Sequence, residues 1–151
     1  MARKSKLVDE VDLKIINELI KNARATYREL SKVVGLTDVA VMKRVRKLER
    51  AGVIKRYTAI VDPQSLGYSK VSFTGLNVSP EKLFDVVKVL KEKEYVKYLA
   101  LTSGDHDLLA VVWARSDEEL EAIHDEIKRI DGVRDVYPLI LTGKVKEEAY
   151  I

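Results

Sequence analysis

Apolar positions up to residue 50 recur at helical spacing, whereas beyond residue 70 they switch repeatedly between the periods of strands and helices. Leu13, Ile16, Leu19, Ile20 and Ala23 supply one apolar stripe, introduced by Asp9 as a helix cap with Asp12 at the third helical position. Thr26 and Glu29 form a capping box, in which the hydroxyl accepts from the Glu29 N–H while the carboxylate reaches back to the Thr26 N–H. The helix it opens is expected to bury Leu30, Val33 and Val34 and to stop at Gly35, where a left-handed conformation brings no Cβ clash. Thr37 starts another helix, with Val41, Val45 and Leu48 at i, i+4 and i+7 facing a core. Its outer side carries Val39, Lys43, Arg46 and Arg50, with Met42 and Lys47 on the flanks.

After Ala51 and Gly52, the run VIKRYTAIV (53–61) has the β-branched content and bounding turn signals of a strand. Pro63 and Gly67 punctuate DPQSLGYS (62–69), which reads as a linker. VSFTGLNV (71–78) predicts a strand in which Gly75 interrupts the alternation, as a bulge or a close backbone approach does. Ser79 and Pro80 open a helix with Leu83, Val86, Val87 and Leu90 on one face. Strands follow at VKYLALTS (96–103) and LLAVVWAR (108–115), joined by the turn GDHD (104–107). Ser116 and Glu119 make a further capping box, opening a helix that buries Leu120, Ile123, Ile127 and Ile130 and ends at Asp131 and Gly132. The last strand is VRDVYPLILTGKV (133–145), with Pro138 demoting part of it to an edge or bulge.

This order, βαββαβ, predicts a four-stranded antiparallel sheet with both helices on one face. The fold class is therefore α+β. Residues 1–61 form a winged-type helix-turn-helix domain with a connecting strand, 62–69 a linker, and 70–151 a ferredoxin-like domain. The second sheet face is left bare, and strands rich in Val, Leu and Tyr call for a cover. Pairing with the sheet of a second copy is the simplest one, so a homodimer is expected.

Charge divides the chain in the same place. Residues 1–60 hold 15 Lys+Arg against 7 Asp+Glu, a balance of +8, whereas residues 61–151 hold 12 against 17, a balance of −5. Only the first part suits a polyanion. Cysteine is absent, which rules out a disulfide framework and thiolate metal ligation. The N-terminus MARKSKLVDEVD has no apolar core, and no apolar run reaches the length of a membrane span, so a cytoplasmic protein without a membrane partner is expected.

Five cations between positions 43 and 50 describe a solvated face if that helix stands alone. It is instead the second of a pair joined by a short Gly-containing turn, the arrangement that lays a recognition helix in the major groove of double-stranded DNA. Thr37, Asp38, Val39, Met42, Lys43, Arg46 and Lys47 are the candidate DNA-binding residues. With Val39, Ala40 and Met42 on this helix, thymine methyl contacts and DNA shape are expected to carry more of the selectivity than base hydrogen bonds. Lys55 and Arg56 are within reach of a phosphate backbone in the same reading. His106 and His124 are the only histidines; neither has a partnered nucleophile or metal-ligand spacing in the sequence. His124, beside Asp125 and Glu126, reads as solvent-facing or partly packed.

The segments DEVDLKIINEL, RELSKVVGLTDVAVMKRVRKLERAGVIKRYTAIVDPQSLGY and LTSGDHDLL resemble the leucine-responsive and asparagine regulator family, Lrp/AsnC, over nearly the whole chain. The most specific matches are RVRKLERAGVI (44–54), DPQSLGY (62–68) and the GD-x-D turn (104–107). The resemblance implies a transcriptional regulator whose C-terminal RAM-type domain binds an amino acid and dimerises through its sheet, with dimers assembling further, commonly to octamers. Carried onto this chain, the implied effector pocket holds Thr102, Ser103, Gly104, Asp105, His106 and Asp107, with Thr142 as a neighbour on the last strand. Backbone N–H groups and hydroxyls there suit a carboxylate, and the aspartates suit an ammonium group, though on spacing alone GDHD reads as a plain surface turn. His106 stands where the family often has Tyr, which leaves the effector's identity open. The resemblance implies no enzyme, no catalytic residue, no metal and no cofactor beyond the amino-acid effector. Two alternatives remain: an enzyme of the siroheme decarboxylase type, which resembles the same two-domain arrangement, or an amino-acid sensor without DNA binding.

Overall fold

The computed structural model describes residues 7–147. The chain divides into two compact units that meet between Ile60 and Val61.

The first unit holds three helices, α1 (Glu10–Lys21), α2 (Tyr27–Val34) and α3 (Asp38–Arg50), each of which contacts the other two. All three start on the residues that the sequence marks. Asp9 and Asp12 close a full capping box at α1, Thr26 and Glu29 close one at α2, and the Thr37 hydroxyl accepts from Ala40 N at 3.1 Å. Gly35 ends α2 at φ 70°. The core is Ile15, Leu30, Val41 and Val45, with Val11, Leu19, Ala25, Val34, Leu36 and Ile54 packed around it. Two parts of the predicted core lie elsewhere. On α1 the centre of the buried stripe is Ile15 and Asp12, while Leu13, Ile20 and Ala23 are exposed, because the arc that meets Leu30, Val41 and Val45 of the other two helices is the one centred on Ile15. On α2 Val33 is half exposed and Ser31 points inward, its hydroxyl donating to Arg28 O.

The expected strand over 53–61 does not form. Residues 55–60 have no regular secondary structure and are exposed, and among the described residues no strand lies beside them to share a ladder. Tyr57 fastens this segment to α3 by donating to Glu49 at 2.7 Å.

The second unit is built from β1 (Lys70–Val78), α4 (Leu83–Lys91), β2 (Val96–Leu101), β3 (Leu108–Ala114), α5 (Asp117–Lys128) and β4 (Val133–Ile140). The strands form one antiparallel sheet in the order β2-β3-β1-β4. Leu76 and Val78 of β1, and Leu108, Ala110, Val112 and Ala114 of β3, pack against Val86 and Leu90 of α4 and Leu120, Ile123 and Ile127 of α5. Both helices therefore cover one sheet face. Ser72 and Thr74 point to that same buried side, and their hydroxyls continue through Thr74 Oγ1 to His124 Nε2 at 2.8 Å, so both hydroxyls are satisfied. Burial of the His124 ring pushes its pKa below the ordinary value, against the opposing charge of Asp125.

Details differ from the sequence reading at three joints. A short 3-10 turn, Pro80–Lys82, precedes α4, and Ser79 makes no side-chain cap. Ser116 caps α5, but the Glu119 carboxylate accepts from Arg115 N rather than from Ser116 N, so the reciprocal box is displaced by one residue. Strand β4 ends at Ile140, opposite Ser72, five residues short of the expected 145, and Leu141 N still donates to Val71 O. Pro138 does sit on an edge strand, opposite Thr74. The 62–69 segment is a capped turn packed on this unit. Asp62 accepts from Gln64 N and Ser65 N, Pro63 is buried, and Tyr68 stacks at 5.5 Å on Trp113.

Candidate functional site

Two places carry the residues singled out by the sequence. The first is α3. Its inner stripe Val41, Val45 and Leu48 is buried, which turns Lys43, Arg46, Lys47 and Arg50 outward, and Lys43, Arg46 and Lys47 form no ion pair with another described residue. Val39 is 56% exposed on the same side, Asp38 is exposed in the first turn, and Met42 is half-buried at the margin. Thr37 has its oxygen engaged in the cap, leaving its O–H free to donate.

The fifth cation of the run is not part of that face. Arg44 Nη1 donates to Asp9 at 2.7 Å and to Asp12 at 2.9 Å, closing the α1 capping box from outside and clamping α3 to the start of α1. The guanidinium holds the Asp9 carboxyl down at about 2. Asp12 is only 1% exposed, so this charge pair orients the recognition helix. An acidic pair at i and i+3 facing one Arg on a distant helix leaves no local pattern, and the sequence reading accordingly took Arg44 for part of the basic run.

The second place is the turn between β2 and β3. Thr102 N donates to Asp107 O at 3.0 Å and its hydroxyl donates to His106 O at 2.7 Å, while Gly104 takes φ 111°. Asp107 is bound at both ends: its N–H donates to Leu76 O and its carboxylate accepts from Val78 N at 2.8 Å. Thr102 and Asp107 thus hold the turn to the end of β1. Ser103, Gly104 and Asp105 remain exposed between them, and Asp105 is the carboxylate of the turn with no backbone bond to satisfy. His106 is half-buried and folds back over the uncovered sheet face, with Nδ1 3.1 Å from Asn77 Oδ1 and its ring 4.7 Å from that of Tyr137. Gly75, Asn77 and Tyr137 were not among the predicted site residues. The signal for them was present, since Gly75 and Asn77 share a face at i and i+2.

Thr142 is not brought to this turn within one chain. It follows the end of β4 opposite the start of β1, whereas the turn meets the end of β1, roughly 20 Å away at about 3.3 Å per residue.

Among the described residues no group of three or more His, Asp or Glu side chains could hold a metal ion, and no helix is long and apolar enough to cross a membrane.

A capped helix pair with an outward basic helix, followed by a βαββαβ unit, defines a two-part DNA-binding regulator. Residues 8–55 match the family model for winged helix-turn-helix DNA-binding domains, and residues 71–151 match that for the Lrp/AsnC ligand binding domain. The chain is 45% identical to the HTH-type transcriptional regulator LrpA of Pyrococcus abyssi over 141 residues, covering 93% of this chain and all of that one. It is 46% identical to LrpA of Pyrococcus horikoshii over the same share of each. Among solved structures it is similar to E. coli AsnC, with a TM-score of 0.85 and 28% identity over 93% of this chain and 96% of that one. The chain belongs to the Lrp/AsnC family of DNA-binding transcriptional regulators.

Proposed function

We propose that this protein binds specific duplex sites as a homodimer in the cytoplasm and that an amino acid bound at the β2–β3 turn changes its assembly or its hold on DNA. The observation that carries the reading is the outward face of α3, where Lys43, Arg46 and Lys47 have no ion-pair partner among the described residues and stand beside the exposed Val39. Cations so held meet phosphates, and an apolar side chain between them meets a thymine methyl. Asp38 and the Thr37 hydroxyl stand at the amino end of that helix, nearest the bases in such a docking.

The effector half rests on the turn. Exposed Ser103 and the Gly104 backbone suit a carboxylate, and the unengaged Asp105 suits an ammonium group. Dimerisation is supported by the uncovered sheet face, on which Phe73, Tyr98, Tyr137 and Leu139 are all exposed. A twofold dimer would present two α3 helices to half-sites about 34 Å apart. Further assembly of dimers, to octamers, belongs to the same proposal. No catalytic step and no cofactor enters it.

Titration of labelled duplex with Lys43→Ala and Arg46→Ala tests the DNA half. Each lost phosphate contact lowers the slope of log affinity against log salt by about 0.9; unchanged affinity in both variants removes α3 from the binding surface. Calorimetric titration of the parent protein with each of the twenty amino acids tests the effector half. Asp105→Ala should weaken the binding found while the unliganded protein still holds DNA. Asp107→Ala is expected to change the response too, but through loss of the bond to Val78 as well as loss of charge.

A further inference from the structure

Gly75 and His106 fit one another across the open face of the sheet. Gly75 lies in the middle of β1 without a positive φ, so its backbone alone does not call for glycine. Space does. A Cβ at position 75 would fall 2.7 Å from Cγ and 2.8 Å from Nε2 of His106, inside van der Waals contact. The other walls of the seat are Asn77, two residues along β1, and Tyr137, the register partner of Gly75 on β4. A ring from the turn is thus lodged among residues of the sheet.

We propose that Gly75 and His106 are the positioning pair through which occupancy of the 102–107 turn is passed to the open sheet face. The inference rests on the effector reading above. Asp107 is held to β1, whereas among the described residues the His106 carbonyl is held only by the Thr102 hydroxyl, so an occupant of the exposed stretch that engages this hydroxyl frees the His106 main chain. The imidazole moves with it, and its seat is Tyr137, one of the exposed rings of the face that a second copy covers. A ligand shifts an equilibrium only by binding its states unequally, and a ring that is seated in one state and displaced in the other supplies that inequality.

Full-length parent protein, Gly75→Ala, His106→Ala and the double variant are compared. The amino acid that binds the parent most tightly in the calorimetric screen is the probe, and duplex affinity is read with and without it. Gly75→Ala retains every turn residue and should bind the probe within about threefold of the parent, yet lose the probe's effect on duplex affinity. In the parent that effect is expected in the range of about 5–150-fold, and in Gly75→Ala and His106→Ala below about twofold. In both variants the seat is empty without a ligand, so the unliganded duplex affinity should move to the value the parent shows with the probe bound, whereas a general structural defect gives no reason for that value. The three atoms nearest a methyl at 75 all belong to the ring, so with the ring absent the double variant should behave as His106→Ala does. Retention of the full parental effect in Gly75→Ala or His106→Ala overturns the inference, as does additive loss in the double variant. If Gly75→Ala does not fold, His106→Ala decides, read at a probe concentration that calorimetry shows to saturate it, so that lost coupling is separated from lost binding. Failure of all twenty amino acids to bind the parent overturns the effector reading itself, and this inference with it.

Discussion

Arg44 bridges Asp9 and Asp12 with one nitrogen, and of the two carboxylates only Asp12 is shut away from water. Truncation to alanine leaves that carboxylate without its counter-charge, and Arg44→Ala should destabilise the first unit by about 3 kcal/mol, the lower end for a broken buried pair, since the guanidinium stays partly hydrated. Urea denaturation followed by circular dichroism reads this. Arg46→Ala, two positions on, should leave the midpoint unchanged and act on DNA alone. His124 makes a prediction with the opposite environment. Its folded pKa lies below the ordinary 6.5 because burial disfavours the cation, so the unfolded chain takes up the proton first as pH falls. The neutral ring therefore contributes stability above about pH 6.5 that is lost as pH falls through the folded pKa. Melting temperatures at pH 7.5 and 5 should differ less in His124→Gln, which keeps a partner for Thr74 without the titration.

Caps decide where the elements begin. The Thr37 cap fixes the first turn of α3, the turn proposed to meet the bases, and Thr37→Ala should cost about 1 kcal/mol and weaken duplex binding, with Thr37→Ser restoring both. Capping patterns were legible because each is a contract between neighbours three residues apart, as at Asp9 with Asp12 and Thr26 with Glu29. The 53–61 strand was illegible for the converse reason: β-branched content makes a segment willing, but a ladder needs a partner that no local pattern names. Val33 and Leu13 failed in a third way. Both sit at helical spacing, yet which arc of an amphipathic helix is buried depends on the neighbours it meets.

At the scale of the molecule, the second unit leaves one face of its sheet uncovered, with Phe73, Tyr98, Tyr137 and Leu139 exposed on it. Leu139 is 64% exposed there, so Leu139→Lys should leave the subunit folded and its melting temperature within a few degrees. Sedimentation velocity should nevertheless find monomers where the parent gives dimers or larger species. A parent that sediments as a monomer at micromolar concentration would remove the dimer from the proposal.

Periodicity, caps and the division of charge were enough to establish the helix-turn-helix, the βαββαβ order and a basic first unit, because each is written in residues a few positions apart. The position of the turn 104–107 was equally plain. What that turn touches was not. The clamp of Arg44 on Asp9 and Asp12, the bond from Thr74 to His124 and the seat of His106 on Gly75 join residues 31 to 50 positions apart, and Thr142 and the turn stand at opposite ends of β1. Such pairings arise only when helices and strands have packed, since packing alone sets which side chain meets which across the fold.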